Sequence, residues 1–138
     1  AKGVLHSSQI STGQENGLNI RVWGTEGALE WYQENPNYLY FYQQGKPVQT
    51  LRRGNDYLCE AAQRVTRIPS GHPEAFLEAF SNIYMNATAT MRAKMLGNEP
   101  TELELDFPNV VDGLVGMQFI ETVVASSQSD MKWEKFHK

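Results

Sequence analysis

The hydrophobic period changes at Gly54, and this change limits the folds open to the chain more than any other feature of the sequence. Before it, apolar residues recur at every second position: Leu18, Ile20 and Val22 alternate with Asn19, Arg21 and Trp23. Such alternation specifies half-buried strands. Gly24-Thr25-Glu26-Gly27 then turns the chain into residues 28–33, and Asn35-Pro36-Asn37 makes the next turn. Residues 38–43 and 48–52 supply two more strands, separated by Gln44-Gly45-Lys46-Pro47, and residues 4–12 an earlier one. The expectation is an antiparallel meander of about five strands.

Beyond Gly54, Phe76, Phe80, Ile83, Tyr84, Ala87 and Met91 lie on one stripe at spacings of three and four, which predicts a helix over residues 73–96. Pro73 suits its first turn, and Leu96-Gly97-Asn98 with Pro100 beyond supplies the stop. Asn109 can cap a second helix that ends near Ser127. Its Val111, Leu114, Val115, Met117, Phe119, Ile120, Val123 and Val124 leave few polar positions, so it is expected to be largely buried. Residues 131–136 alternate again and predict a last strand. The expected architecture is therefore α+β: one domain over residues 1–138, with an open, mainly antiparallel sheet and two long helices packed on one face.

The bulk chemistry removes several functions. A net charge of −4 and dispersed Arg52, Arg53, Arg64 and Arg67 argue against a nucleic-acid surface. His6, His72 and His137 are far apart and the single Cys59 has no CxxC partner, so no metal site is indicated. One cysteine fits a reducing compartment, with cytoplasm the default. No run approaches the roughly 20 apolar residues of a bilayer span, which predicts a soluble protein without membrane partners. Gly24 and Gly27 make only a hairpin turn, with no phosphate-binding glycine pattern, nucleophile elbow or P-loop elsewhere. Ala1 is not a methionine, and the expectation is that the chain begins within something longer.

Two places remain as candidate sites. In Ile68-Pro69-Ser70-Gly71-His72-Pro73-Glu74 a loop delivers His72 to the expected amino end of the first long helix. That position favours neutral imidazole and suits a polyol hydroxyl; the structural alternative is a capping histidine beside a Gly71 turn. On the sheet, Tyr38, Tyr40 and Tyr42 alternate with Leu39 and Phe41, and Trp23, Arg21 and Tyr32 can join them in one amphipathic surface. A second subunit is the expected cover, and an aromatic sugar platform the less favoured use. Asp112, three residues after Asn109, suits a reciprocal cap, while Glu104 and Asp106 read as solvated surface.

The stretches Ile20-Arg21-Val22-Trp23-Gly24-Thr25-Glu26-Gly27-Ala28-Leu29-Glu30-Trp31, Gly71-His72-Pro73-Glu74-Ala75-Phe76, and Asp112-Gly113-Leu114 followed by Ser126-Ser127, in that order, resemble the Gfo/Idh/MocA oxidoreductases over nearly the whole chain. The resemblance implies the carboxy-terminal domain of a two-domain enzyme, with an open sheet used for oligomerisation. It implies oxidation or reduction of a sugar, polyol or related compound with NAD or NADP in the full-length enzyme. The cofactor site and the catalytic lysine, aspartate and histidine would lie upstream of Ala1. No catalytic or cofactor-binding residue is then expected in this chain, which alone would be inactive. His72 is the implied substrate contact, and Trp23, Tyr32, Tyr38, Tyr40 and Tyr42 the implied homo-oligomer interface. A free-standing small-molecule-binding module and a purely structural dimerisation domain are the alternatives.

Overall fold

A computed structural model of the chain describes residues 1–131 and 133–136. The order of elements is β1 (Asn19–Trp23), β2 (Ala28–Tyr32), β3 (Tyr38–Tyr42), β4 (Gln49–Arg52), α1 (Glu60–Arg64), α2 (Phe76–Met95) and α3 (Val110–Gln128). The fold is α+β, with a four-stranded antiparallel open sheet in the order β1-β2-β3-β4 together with helices. The chain divides into two compact units, Ala1–Glu78 and Ala79–Lys138.

In the first unit the strands pair in sequence order because each connection is a short polar turn. Gly24 N–H donates to the Gly27 carbonyl at 2.8 Å, closing the β1-β2 hairpin. Gly27 has a packing reason to be glycine. A Cβ there would lie 2.7 Å from the Tyr42 carbonyl oxygen and 3.0 Å from the Phe41 ring, so only a bare backbone lets β3 approach this turn. The expected fifth strand at residues 4–12 does not form. Val4 and Ile10 are exposed, and Ser8 is occupied locally by Ile10 N–H and the Ser11 hydroxyl, a competitor to strand pairing. The short helix α1 has no signature in hydrophobic spacing.

In the second unit α2 ends as its Leu96-Gly97-Asn98 stop requires. Gly97 takes φ +74°, its N–H reaches the Lys94 carbonyl at 3.1 Å and Asn98 N–H reaches Ala93 at 2.9 Å, the two bonds of a Schellman motif. The two buried side chains of α2 are polar. Asn86 donates to the Asp106 carbonyl at 2.7 Å and Thr90 to the Glu104 carbonyl at 2.8 Å, one helical turn apart, pinning residues 104–106. Glu104 also accepts from Thr101 N–H at 2.8 Å and its hydroxyl at 2.9 Å, so it closes a turn and is not simply solvated surface. Helix α3 opens with the expected capping box. Asn109 accepts from Val111 N–H at 2.8 Å, and Asp112 accepts from Asn109 N–H at 2.8 Å.

Burial departs from expectation in both units. Among the described residues no hydrophobic side chain is buried, and α3 has no buried residue. The expectation that α3 is largely buried, drawn from its all-round apolar composition, is thereby corrected. By length and composition α3 is also apolar enough to cross a membrane, with a mean hydropathy of 1.2, a property shared by core helices of soluble proteins. The expectation that no run reaches that level is corrected to this extent. The described residues of 131–136 form no strand, and Lys132 lies outside the description. Phe136 instead meets the Phe119 ring edge-on at 6.4 Å.

Candidate functional site

The loop before α2 is densely hydrogen-bonded. Its centre is Arg53, directly after β4, paired with the carboxylate of Glu74. Glu74 is 7% exposed and also accepts from Arg67 N–H, at 3.0 and 2.9 Å to its two oxygens. Its own N–H donates to Asn37 Oδ1 at 3.0 Å, the atom that also accepts Arg53 Nε at 2.9 Å. A carboxylate can be buried here because a guanidinium and backbone N–H groups together replace its water. At the far side of the loop, Gly54 takes φ +75°, and a Cβ on it would meet Ser70 N at 3.0 Å.

His72 rides on this framework with its side chain exposed. Its N–H donates to the Pro69 carbonyl at 3.2 Å, Gly71 before it has φ +87°, and its carbonyl accepts from Arg53 Nη2. The expected placement at the helix end is corrected: α2 begins at Phe76, and Pro73 lies outside its first turn. Both ends of Glu74 are held by Arg53, Arg67 and Asn37, which keeps residues 73–74 off the helical path. The helix start is served by Glu78, which accepts from Ala75 N–H at 2.9 Å. His72, four residues before Phe76, is therefore not the cap of α2.

The second candidate is the sheet face. Cross-strand partners share a face, and the pairs Arg21↔Glu30, Trp23↔Ala28, Asn19↔Tyr32, Glu30↔Tyr40, Ala28↔Tyr42 and Tyr38↔Arg52 put Trp23, Tyr32, Tyr38, Tyr40 and Tyr42 together. Ile20, Val22, Leu29, Trp31, Leu39, Phe41 and Leu51 occupy the other face. Contrary to expectation, Ile20 and Val22 are more than half exposed, whereas the tyrosines are half-buried. The tyrosines cover one another. Tyr32 and Tyr40 meet edge-on at 6.2 Å, and the Arg52 guanidinium lies 5.9 Å over the Tyr38 ring. Sequence reasoning missed the polar centre of this face, Glu30. Its carboxylate accepts from the Tyr32 and Tyr42 hydroxyls and pairs with Arg21. The Tyr32 and then the Tyr42 hydrogen bonds hold Glu30 below the usual carboxylate range, and the bond to Glu30 holds the Tyr42 phenol above its usual value.

A dinucleotide requires a glycine-rich turn opening onto a helix N-terminus. The described residues do not fit one, since Gly24 and Gly27 serve a hairpin between antiparallel strands and Gly27 is used up by the Tyr42 backbone. No group of three or more His, Cys, Asp or Glu among the described residues is placed to hold a metal. In the second unit a hollow of about 670 Å³ beside Tyr84, Met85, Ala89, Arg92, Leu96 and Glu104 is open to solvent.

No family model matches the chain. It is 33% identical over 136 residues to the uncharacterized oxidoreductase YfiI of Bacillus subtilis (strain 168), covering 99% of this chain and 35% of that protein. Among solved structures, an oxidoreductase from Sinorhizobium meliloti matches with a TM-score of 0.83 at 44% identity, over 93% of this chain and 35% of the other. An inositol dehydrogenase homolog from Azotobacter vinelandii, complexed with NADH and myo-inositol, matches with a TM-score of 0.75 at 38% identity, over 88% and 32%. The chain thus spans about a third of the length of the relatives it matches. Agreement in sequence and in fold over nearly all of its residues assigns the chain to the Gfo/Idh-like oxidoreductases, of which it corresponds to a domain-length portion.

Proposed function

We propose that this chain is the substrate-side and oligomerisation domain of an NAD(P)-dependent oxidoreductase that acts on a sugar or polyol, with His72 contributing a hydrogen bond to a substrate hydroxyl. The observation that supports it best is the exposed His72 side chain on a loop whose backbone is fixed by the buried Arg53–Glu74 pair. A ligand contact benefits from such fixing because little ordering entropy is left to lose on binding. The myo-inositol complex of a relative at 38% identity supports the substrate class. Cofactor and catalytic groups come from outside this chain, whose own residues bind and orient. The tyrosine face, with its half-buried rings and Glu30 centre, is the surface for a second copy. The free Cys59 thiol suits the cytoplasm.

The test is turnover of myo-inositol and related polyols with NAD or NADP by the complete gene product. His72→Ala should lower kcat/KM roughly tenfold, the scale of one lost hydrogen bond, with cofactor affinity unchanged. Unaltered kinetics in a folded variant would remove His72 from the substrate site.

A further inference from the structure

We infer that Arg53 is a positioning residue for His72, setting the place of the imidazole through the His72 backbone; this rests on the reading of His72 as a substrate contact. A guanidinium carries five N–H donors in a rigid planar fork, and here every one has an acceptor. Nε donates to Asn37 Oδ1 at 2.9 Å, Nη1 to the Ile68 carbonyl at 2.9 Å and to Glu74, and Nη2 to the Pro69 carbonyl at 3.1 Å and to the His72 carbonyl. Three of the five acceptors are carbonyls of residues 68, 69 and 72, so the fork prescribes the path of the loop up to the histidine.

The fork itself is anchored. Arg53 N–H donates to the Asn37 carbonyl at 3.1 Å, and its side chain is 16% exposed against a Glu74 side chain at 5%. Asn37 Oδ1 ties the fork to the Glu74 backbone, so Arg53, Asn37 and Glu74 form one closed set joining the β2-β3 turn, the end of β4 and the loop. A lysine could hold the charge at Glu74 but, with one nitrogen and three donors, could not reach the carbonyls of residues 68, 69 and 72 together. Geometric loosening of a group that orients substrate lowers the rate without touching the chemistry directly.

The experiment compares Arg53→Lys, His72→Ala and the double variant in the complete gene product, by kcat/KM for myo-inositol and by hydrogen exchange of the segment spanning residues 67–75. Arg53→Lys should lower kcat/KM roughly tenfold, as His72→Ala does, and the double variant should lose no more than His72→Ala alone, because residues acting as a unit are not additive. Exchange at the Arg67 and Glu74 amides should accelerate while β1 to β3 stay protected. Additive losses, a wild-type kcat/KM in Arg53→Lys, or unchanged exchange would overturn the positioning role. A neutral His72→Ala, or a wild-type enzyme that oxidises no polyol, would instead overturn the reading on which it rests. If Arg53→Lys does not fold, Asn37→Ala, which removes only the shared acceptor, should give the same non-additive pattern, and an additive one would overturn the inference.

Discussion

The Tyr42 hydroxyl donates to the Glu30 carboxylate at 2.7 Å, tying β3 to β2 on the face that carries the tyrosines. Tyr32 and Arg21 reach the same carboxylate, so Glu30 is stabilised in its charged form. A glutamate whose folded value is depressed contributes stability above its unfolded value, ~4.3, and loses it as pH falls through the folded value. Wild type and Glu30→Gln should therefore converge in Tm as pH drops below that range. Carboxyl NMR should also show Tyr42→Phe moving the Glu30 titration upward; a midpoint that stays put would break the network.

Gly27 and Gly116 should respond oppositely to alanine. At Gly27 the new Cβ would lie 2.7 Å from the Tyr42 carbonyl, and moving β3 away should cost about 1–3 kcal/mol. At Gly116, inside α3, nothing lies within 4 Å, and the gain in helix propensity should be about 0.5–1 kcal/mol. Thermal unfolding of the two variants decides this by sign.

Removing the cap of α3 should act locally. Asn109→Ala deletes the acceptor of Val111 N–H and Asp112 N–H, which should cost about 1 kcal/mol. Amide exchange should accelerate at those two positions, while the Schellman end of α2 stays protected.

The tyrosine face gives an assembly prediction. Tyr40 lies across from Glu30 and beside Tyr32, so Tyr40→Glu places a second carboxylate against the first and should dissociate a homo-oligomer in sedimentation. A wild-type protein that is monomeric at high concentration would remove this role.

What the sequence made legible follows the range of the interactions. The strands from Asn19 to Arg52 were readable because period-two alternation and the Gly and Pro turns act within a few residues, and Asn109-x-x-Asp112 carries its cap in its spacing. The pairing of Arg53 with Glu74 spans 21 residues and depends on how the turn at Asn37 meets the end of β4, which no local pattern encodes. The same holds for Asn86 and Thr90, whose polar side chains gave no reason to expect a buried helix face. Helix α2 starts at Phe76 and not at Pro73 because Pro73 suits a first turn only in isolation, while Glu74 has stronger partners elsewhere.

The bare apolar flank of α3 has a calorimetric consequence. Unfolding releases a heat-capacity increment in proportion to the apolar surface it newly wets, and side chains such as Leu114, Met117, Ile120 and Val124 are already more than half wetted in the folded chain. Taken by itself, the chain should melt with a shallow enthalpy slope and a low sensitivity to urea. A separate partner covering that flank would supply the missing increment, and the midpoint of melting would then become a function of its concentration.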